Sequence, residues 1–224
     1  YHQHAEPLGD GPLQAQVCEL AKQHRMWIVI GSMPIKTEAG VTTTSLVIDD
    51  FGTVVAHYDK LHMFDVDVAD AHKCYRESDI FTPGARVVTA ETPFGHLGLS
   101  ICYDVRFGHL YRSLAQAGAE ILTVPAAFAQ ATGRAHWEVL LRARAIETGC
   151  FVVAPAQTGQ HAEVSGGKRK THGHSLAISP WGEVLYDGGT DCGVGIVDYS
   201  LDDVAKARGA VPSLQHDRAF EAPK

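Results

Sequence analysis

Leu97-Gly98-Leu99-Ser100-Ile101-Cys102-Tyr103-Asp104-Val105-Arg106-Phe107 is an apolar run of strand length that closes on a cysteine and passes into polar, helix-starting residues. Its alternation predicts a strand that delivers Cys102 to the start of a helix. Leu110, Leu114 and Ala117 then trace a helical stripe that stops at Gly118. Upstream, Arg86–Thr92 and His96–Cys102 flank Pro93-Phe94-Gly95 as a hairpin. Downstream, Ile121–Pro125 and Phe151–Ala154 read as short strands around the clearest helix, Arg134–Thr148. That helix turns Trp137, Leu140, Leu141 and Ala145 inward and takes Gly149 as its C-cap.

Further out the pattern continues. Leu13–His24 places Leu13, Val17, Leu20 and Ala21 on one helical stripe, and Met26–Gly31 follows as a buried strand. Val41–Ile48 and Thr53–Tyr58, joined by Asp49-Asp50-Phe51-Gly52, predict an antiparallel pair. Lys60–Pro83 loses all periodicity, as a functional loop does, and Gln157–Lys170 with Gly166-Gly167 is loop-like too. His174–Ile178, Gly182–Tyr186 and Gly193–Tyr199 read as three strands around the turn Ser179-Pro180-Trp181-Gly182. Ser200-x-x-Asp203 has the form of a capping box before a last short helix ending near Gly209. Strands that come partly as hairpins and partly alternating with helices imply mixed sheets with helices on their outer faces.

Composition narrows the function. The 224 residues carry 19 basic and 26 acidic side chains, 19 − 26 = −7, with the basic residues spread along the chain. Such a surface repels nucleic acid and anionic lipid. No apolar run reaches the roughly 20 residues that span a bilayer, and Tyr1-His2-Gln3-His4 does not open a secretory signal. Five cysteines, an odd number in a long chain, argue for reduced thiols and a cytoplasmic setting. With no internal repeat or linker, residues 1–224 read as one domain.

Among those cysteines Cys102 is singled out by its place. A thiol at a helix N-terminus meets the positive end of the dipole and free N–H groups, which lower its pKa and could hold an oxyanion. Position alone fits a buried strand cysteine acting as a small hydrophobe equally well. Lys60 at a strand end and Glu77 in the polar loop supply the cation and carboxylate that a thiolate nucleophile needs, though by themselves both read as solvated. His2-x-His4, His172-x-His174 and the Asp65, Asp67, Asp70, His72 group lack zinc or calcium spacing, so no metal is expected.

Several blocks in order resemble the nitrilase, or carbon–nitrogen hydrolase, superfamily and its Nit-type amidase branch. They are Tyr58–Asp65 around the lysine, Tyr75–Ser78 with Phe81–Gly84 around a glutamate, and Leu99–Phe107 around the nucleophile. Ala117–Leu122, Thr132–Glu138 with Arg142–Ala145, and Ser179–Gly182 extend the likeness over nearly the whole chain. The resemblance implies an α/β fold, an α-β-β-α sandwich that dimerises into a four-layer α-β-β-α–α-β-β-α assembly. It implies hydrolysis of a small linear (ω-)amide to carboxylate and ammonia through a thioester on Cys102, with water as second substrate and no cofactor. Lys60 and the Tyr103 N–H would stabilise the oxyanion, Glu77 would orient Lys60 and water, and Tyr103, Phe128, Thr132 and His136 would line the substrate. A silent scaffold, or an N-carbamoyl amide or nitrile hydrolase, are the alternatives.

Two departures stand out. The family's principal base is a glutamate after the first strand in an apolar-Pro-Glu context; Glu6, followed by Pro7, has the wrong surroundings, so this chain is expected to lack that strand and base. Gly108-His109 replaces an acidic pair, with Gly108 loosening the helix start and His109 reading as a surface residue, and Arg134 stands where the branch often has Pro. The 224-residue chain should therefore turn over amides far more slowly than a version extended upstream through a strand ending in Pro-Glu. Equal rates of ammonia release by the two forms would refute this.

Overall fold

A computed structural model describes residues 2–67, 74–161 and 169–221. Asp70, His72 and Gly166-Gly167 lie outside the described residues. A two-residue β1 (Glu6–Pro7) leads into α1 (Pro12–His24), and β2 (Ile28–Thr37), β3 (Gly40–Ile48) and β4 (Val54–Asp59) follow. These strands form one sheet in the order β1-β2-β3-β4, antiparallel except for the parallel β1–β2 pair. The β3–β4 pair is the one the sequence predicts. β2 runs on to Thr37, past the expected Gly31, because the β-branched residues of β3 give its second half a partner from Met33↔Thr44 to Thr37↔Gly40.

The polar 60–83 stretch contains a small hairpin, β5 (Asp65–Asp67) with β6 (Cys74–Arg76), where an unstructured loop is expected. Its acidic residues are already engaged: Asp65 accepts from the Ser78 N–H and Asp67 pairs with Arg76. A second sheet has the order β14-β13-β10-β9-β8-β7. Its strands are β7 (Thr89–Thr92), β8 (Gly95–Leu99), β9 (Ile121–Thr123), β10 (Phe151–Ala154), β13 (Leu176–Ile178) and β14 (Val184–Asp187), with β8, β9 and β10 parallel. A parallel step needs a crossover, and α2 (Gly108–Gln116) and α3 (Gln130–Thr148) supply the two. Between β10 and β13, β11 (Thr158–Gln160) pairs with β12 (Lys170–His172), and α4 (Asp202–Ala210) comes last.

The period-2 alternation of the strands sorts side chains into layers. Leu122 and Val152 pack with Leu114, Trp137 and Leu141 of α2 and α3, whereas their neighbours Ile121 and Phe151 meet Val47 and Tyr58 of the first sheet. On that first sheet Leu46 points the other way, to Met33 and Ile35, on the side where α1 lies with Cys18 against Gly52 of the β3–β4 turn. The result is the expected α-β-β-α sandwich. Gly98 lets α2 approach: a Cβ there would stand 2.9–3.2 Å from Leu122, Ala119 and Leu114. An apolar cavity of about 480 Å³ on the inter-sheet face is lined by Val29, Phe94, Ile121, Phe151, Tyr186 and Tyr199, and by neither Cys102 nor Lys60.

Three expectations need correction. Gly193–Tyr199 joins no sheet; Val194 and Ile196 are 92% and 89% exposed, so β-propensity found no partner strand to satisfy it. The clearest helix starts at Gln130, four residues before the expected Arg134, so Thr132 already lies in its first turn. On α1, Leu13 and Leu20 face outward and the buried positions are Gln14 and Ala21. The physical reason is Glu6. Its carboxylate accepts from the Leu13 N–H (2.7 Å), the Gln14 N–H (3.2 Å) and the Gln14 side-chain amide (3.1 Å), which rotates Gln14 inward.

Burial alone would raise the Glu6 pKa, but the backbone donors of Leu13 and the side chain and backbone of Gln14 outweigh it and hold it below the usual value. A carboxylate depressed in the folded state stabilises above its unfolded pKa, and that contribution disappears as pH falls through the folded one. Glu6→Ala should lower the unfolding free energy by about 1 kcal/mol at neutral pH, as loss of a helix cap does. In urea titrations the gap between variant and parent should shrink below pH 4 or so.

Candidate active site

Cys102 begins a short 3-10 turn, Cys102–Arg106, that links β8 to α2. Its φ is +51°, the left-handed region that a residue with a Cβ enters at a cost of about 1–3 kcal/mol. The surroundings hold it there: the Cys102 N–H donates to the Pro125 carbonyl at 2.9 Å, and the Asp104 N–H donates back to Ile101 at 3.1 Å. The effect is to lift the half-buried thiol out of the sheet at the C-terminal ends of parallel strands, where it touches both hydrophobic clusters.

Lys60 follows the last residue of β4. Its backbone is fixed on both sides, N–H to the Thr43 carbonyl (2.9 Å) and carbonyl from the Gly84 N–H (2.8 Å). Lys60 as a whole is 2% exposed, and its ammonium is paired with the Glu77 carboxylate, which also accepts from the Phe64 N–H at 2.7 Å. Glu77 starts a 3-10 turn after β6, so the small hairpin of the polar stretch is what carries it back over Lys60. Leu61 packs against the same two clusters as Cys102, which sets the Lys60–Glu77 pair beside the thiol.

Asp104 joins the two halves. It is fully buried, and its carboxylate accepts from the Tyr58 hydroxyl (2.7 Å), the Ile101 N–H (2.9 Å) and the His62 N–H (3.1 Å), with His62 Nδ1 at 2.7 Å. Tyr58 lies in β4 and His62 just past Lys60, so one carboxylate clamps the Cys102 turn to the lysine strand. Burial, then the charge of Asp104, keeps the Tyr58 hydroxyl protonated far above its ordinary pKa. His62 stacks on Phe107 with centroids 3.5 Å apart, and His109 meets both rings edge-on from the exposed face of α2. Gly108 has a packing role: a Cβ there would come within 3.0 Å of Arg144.

The expected substrate-lining residues divide. Tyr103 is beside Cys102, its ring against Phe64 and Phe107. Phe128 is buried and tilts onto Trp137 in the helix-side core. Thr132 Oγ1 donates to the Ala129 carbonyl inside the first turn of α3, and His136 is exposed, 3.3 Å from the Arg106 guanidinium. Arg106 lies over the Tyr103 and Phe128 rings, so it connects three of the four. Arg134 is exposed on α3.

The thiol itself departs from expectation. A depressed pKa would follow from a helix dipole, but the turn after Cys102 is one short 3-10 segment, and α2 begins only at Gly108. Burial dominates and pushes the Cys102 pKa up; the charge of Lys60, the Ala127 N–H and the charge of Arg169 pull against it, while Glu77 adds to it. Burial thus favours the neutral thiol over the thiolate. Tyr58, Asp104, His62 and Arg169 were not singled out from sequence; the Tyr58–Asp65 and Leu99–Phe107 blocks contain the first three, but only their pairing in space reveals the clamp.

With this geometry in place, the comparisons with known proteins are specific. Residues 1–209 match the model of the carbon–nitrogen hydrolase family. A deaminated glutathione amidase of Yersinia enterocolitica is 45% identical over 221 residues, 97% of this chain and 76% of that protein. The crystal structure of the C. elegans NitFhit protein superposes with a TM-score of 0.80 at 38% identity, over 92% of this chain and 50% of that one. A mutant amidase from Nesterenkonia sp. AN1, with the acetamide moiety of fluoroacetamide added covalently at its active-site cysteine, superposes at 0.69 and 26% identity, over 88% and 70% of the two chains. The chain thus spans three quarters of one relative and half of another. The protein belongs to the carbon–nitrogen hydrolase family, as an enzyme of the class that cleaves C–N bonds in non-peptide amides.

Proposed function

We propose that this protein hydrolyses a small linear amide to a carboxylate and ammonia, with Cys102 as nucleophile. The observation that carries the reading is the buried Lys60–Glu77 pair set beside a strained, half-buried cysteine. A buried ion pair is poor value for stability, since desolvation offsets most of the attraction. It is well suited to a site where negative charge develops on an oxygen.

Attack of sulfur on the amide carbon requires the thiol proton to leave, because burial favours the neutral thiol. As the C–S bond forms, the carbonyl electron pair moves onto oxygen, where the Lys60 ammonium and the Tyr103 N–H stabilise it. Collapse of the tetrahedral species returns the pair to the carbonyl and breaks the C–N bond, with the nitrogen taking the proton that the thiol gave up and leaving as ammonia. Water then attacks the thioester, and the sulfur leaves with a proton to restore the thiol. Glu77 keeps Lys60 in place and orients the water. The relatives' names make deaminated glutathione the first amide to assay.

Cys102→Ala should abolish amide hydrolysis, and Lys60→Met should lower kcat by roughly 10²–10³, the loss typical of one oxyanion donor. Glu77→Gln should also lower kcat. Steady-state ammonia release, with folding checked by far-UV circular dichroism, tests all three; full activity in Cys102→Ala rules the reading out. A silent scaffold predicts no hydrolysis by the parent chain or its extended form.

Reactivity should follow the raised thiol pKa. Alkylation of Cys102 by iodoacetamide should increase with pH through an inflection above that of an ordinary thiol, as read by peptide mass spectrometry. An inflection below the ordinary value would show that the cations outweigh burial.

A further inference from the structure

Arg169 precedes β12, and its backbone carbonyl accepts from the His161 N–H across the β11–β12 hairpin. Its guanidinium points into the protein. Nη2 donates to the Ala127 carbonyl at 2.9 Å, and Nε is fully enclosed with no hydrogen-bond partner. No carboxylate among the described residues pairs with it. Arg144 is held by Val105 and Glu147, Arg208 by the Ala119 and Thr148 carbonyls, and Arg106 meets His136; of these three only Arg144 has a carboxylate partner among the described residues. A guanidinium cannot shed its proton, so an enclosed one without a counter-ion is costly unless an anion forms nearby.

Ala127 belongs to the segment that walls the nucleophile. The neighbouring Pro125 carbonyl holds the Cys102 N–H, and the Ala126 carbonyl is fixed by the Gln157 N–H, which aims the Ala127 N–H at the Cys102 sulfur. We propose that Arg169 is a positioning residue for the nucleophile: by gripping the Ala127 carbonyl it fixes the backbone behind the sulfur, and its unpaired charge is held there for the Cys102 thiolate. The charged and titratable groups facing Cys102 are Lys60 and Glu77 from the end of β4 and the turn after β6, Tyr111 from α2, and Arg169 from the β12 side. Lys60 is already committed to Glu77, so Arg169 is the cation in this group with no carboxylate partner among the described residues. The inference rests on Cys102 being the nucleophile.

The experiment is the pH dependence of Cys102 alkylation by iodoacetamide, a neutral probe, in the parent protein and in Arg169→Gln and Arg169→Lys. Removing a positive charge destabilises the thiolate, so Arg169→Gln should move the inflection upward by about one pH unit, roughly tenfold in rate on the acid side. Arg169→Lys keeps the charge and should stay within a few tenths of the parent. An unchanged inflection in Arg169→Gln overturns the proposal, and a selective rise in KM for carboxylate-bearing amides would then make Arg169 a substrate anchor. If Arg169→Gln fails to fold, a full-unit shift in Arg169→Lys overturns it as well. Hydrolysis by Cys102→Ala is a separate readout: activity there removes the nucleophile reading, whatever the Arg169 variants do.

Discussion

The carboxylate of Asp104 has no solvent contact, and everything at the site depends on what it binds. It accepts from Tyr58 on β4, from His62 two residues past Lys60, and from the backbone of Ile101 immediately before Cys102. A buried charge without partners would be prohibitively expensive, so the donors must be in place for the chain to fold. Once they are, the β8–α2 turn and the end of β4 cannot move independently. The cysteine and the lysine come from segments about forty residues apart in sequence, brought to one place by a third residue that takes no part in the chemistry.

Strain and electrostatics at Cys102 follow from that clamp. A non-glycine residue at positive φ persists only where neighbours over-determine it, and here the Pro125 carbonyl on one side and Asp104 on the other do so. The same enclosure removes water from the thiol and raises its pKa, against two cations and one N–H that favour the anion. Desolvation wins in the resting protein.

Lys60 and Glu77 show the same division between placing and doing. The lysine is positioned by two backbone hydrogen bonds of the first sheet, while the glutamate arrives on a small hairpin outside both sheets. The rigid layer sets the cation, and the polar excursion sets its partner. Two arginines stand near this end of the sheet, Arg106 over the Tyr103 and Phe128 rings and Arg169 on the Ala127 carbonyl. That is where an oxyanion or a thiolate would form.

Much was legible in the amino-acid order because local rules act within a few residues. The strand that leads toward Cys102, though it ends at Leu99, the helix capped by Gly149 and the β3–β4 hairpin follow from periodicity and turn chemistry alone. The blocks around Lys60, Glu77 and Cys102 named the three side chains before any contact was known. Propensity failed where a partner was decisive: Gly193–Tyr199 has strand-like residues but no ladder, and the stripe of α1 turned because Glu6 draws Gln14 inward. The protonation of the thiol, the Asp104 clamp and the unpaired Arg169 belong wholly to the tertiary structure. Desolvation and hydrogen-bond pairing depend on which distant groups share a volume, and nothing in a local stretch of sequence encodes that.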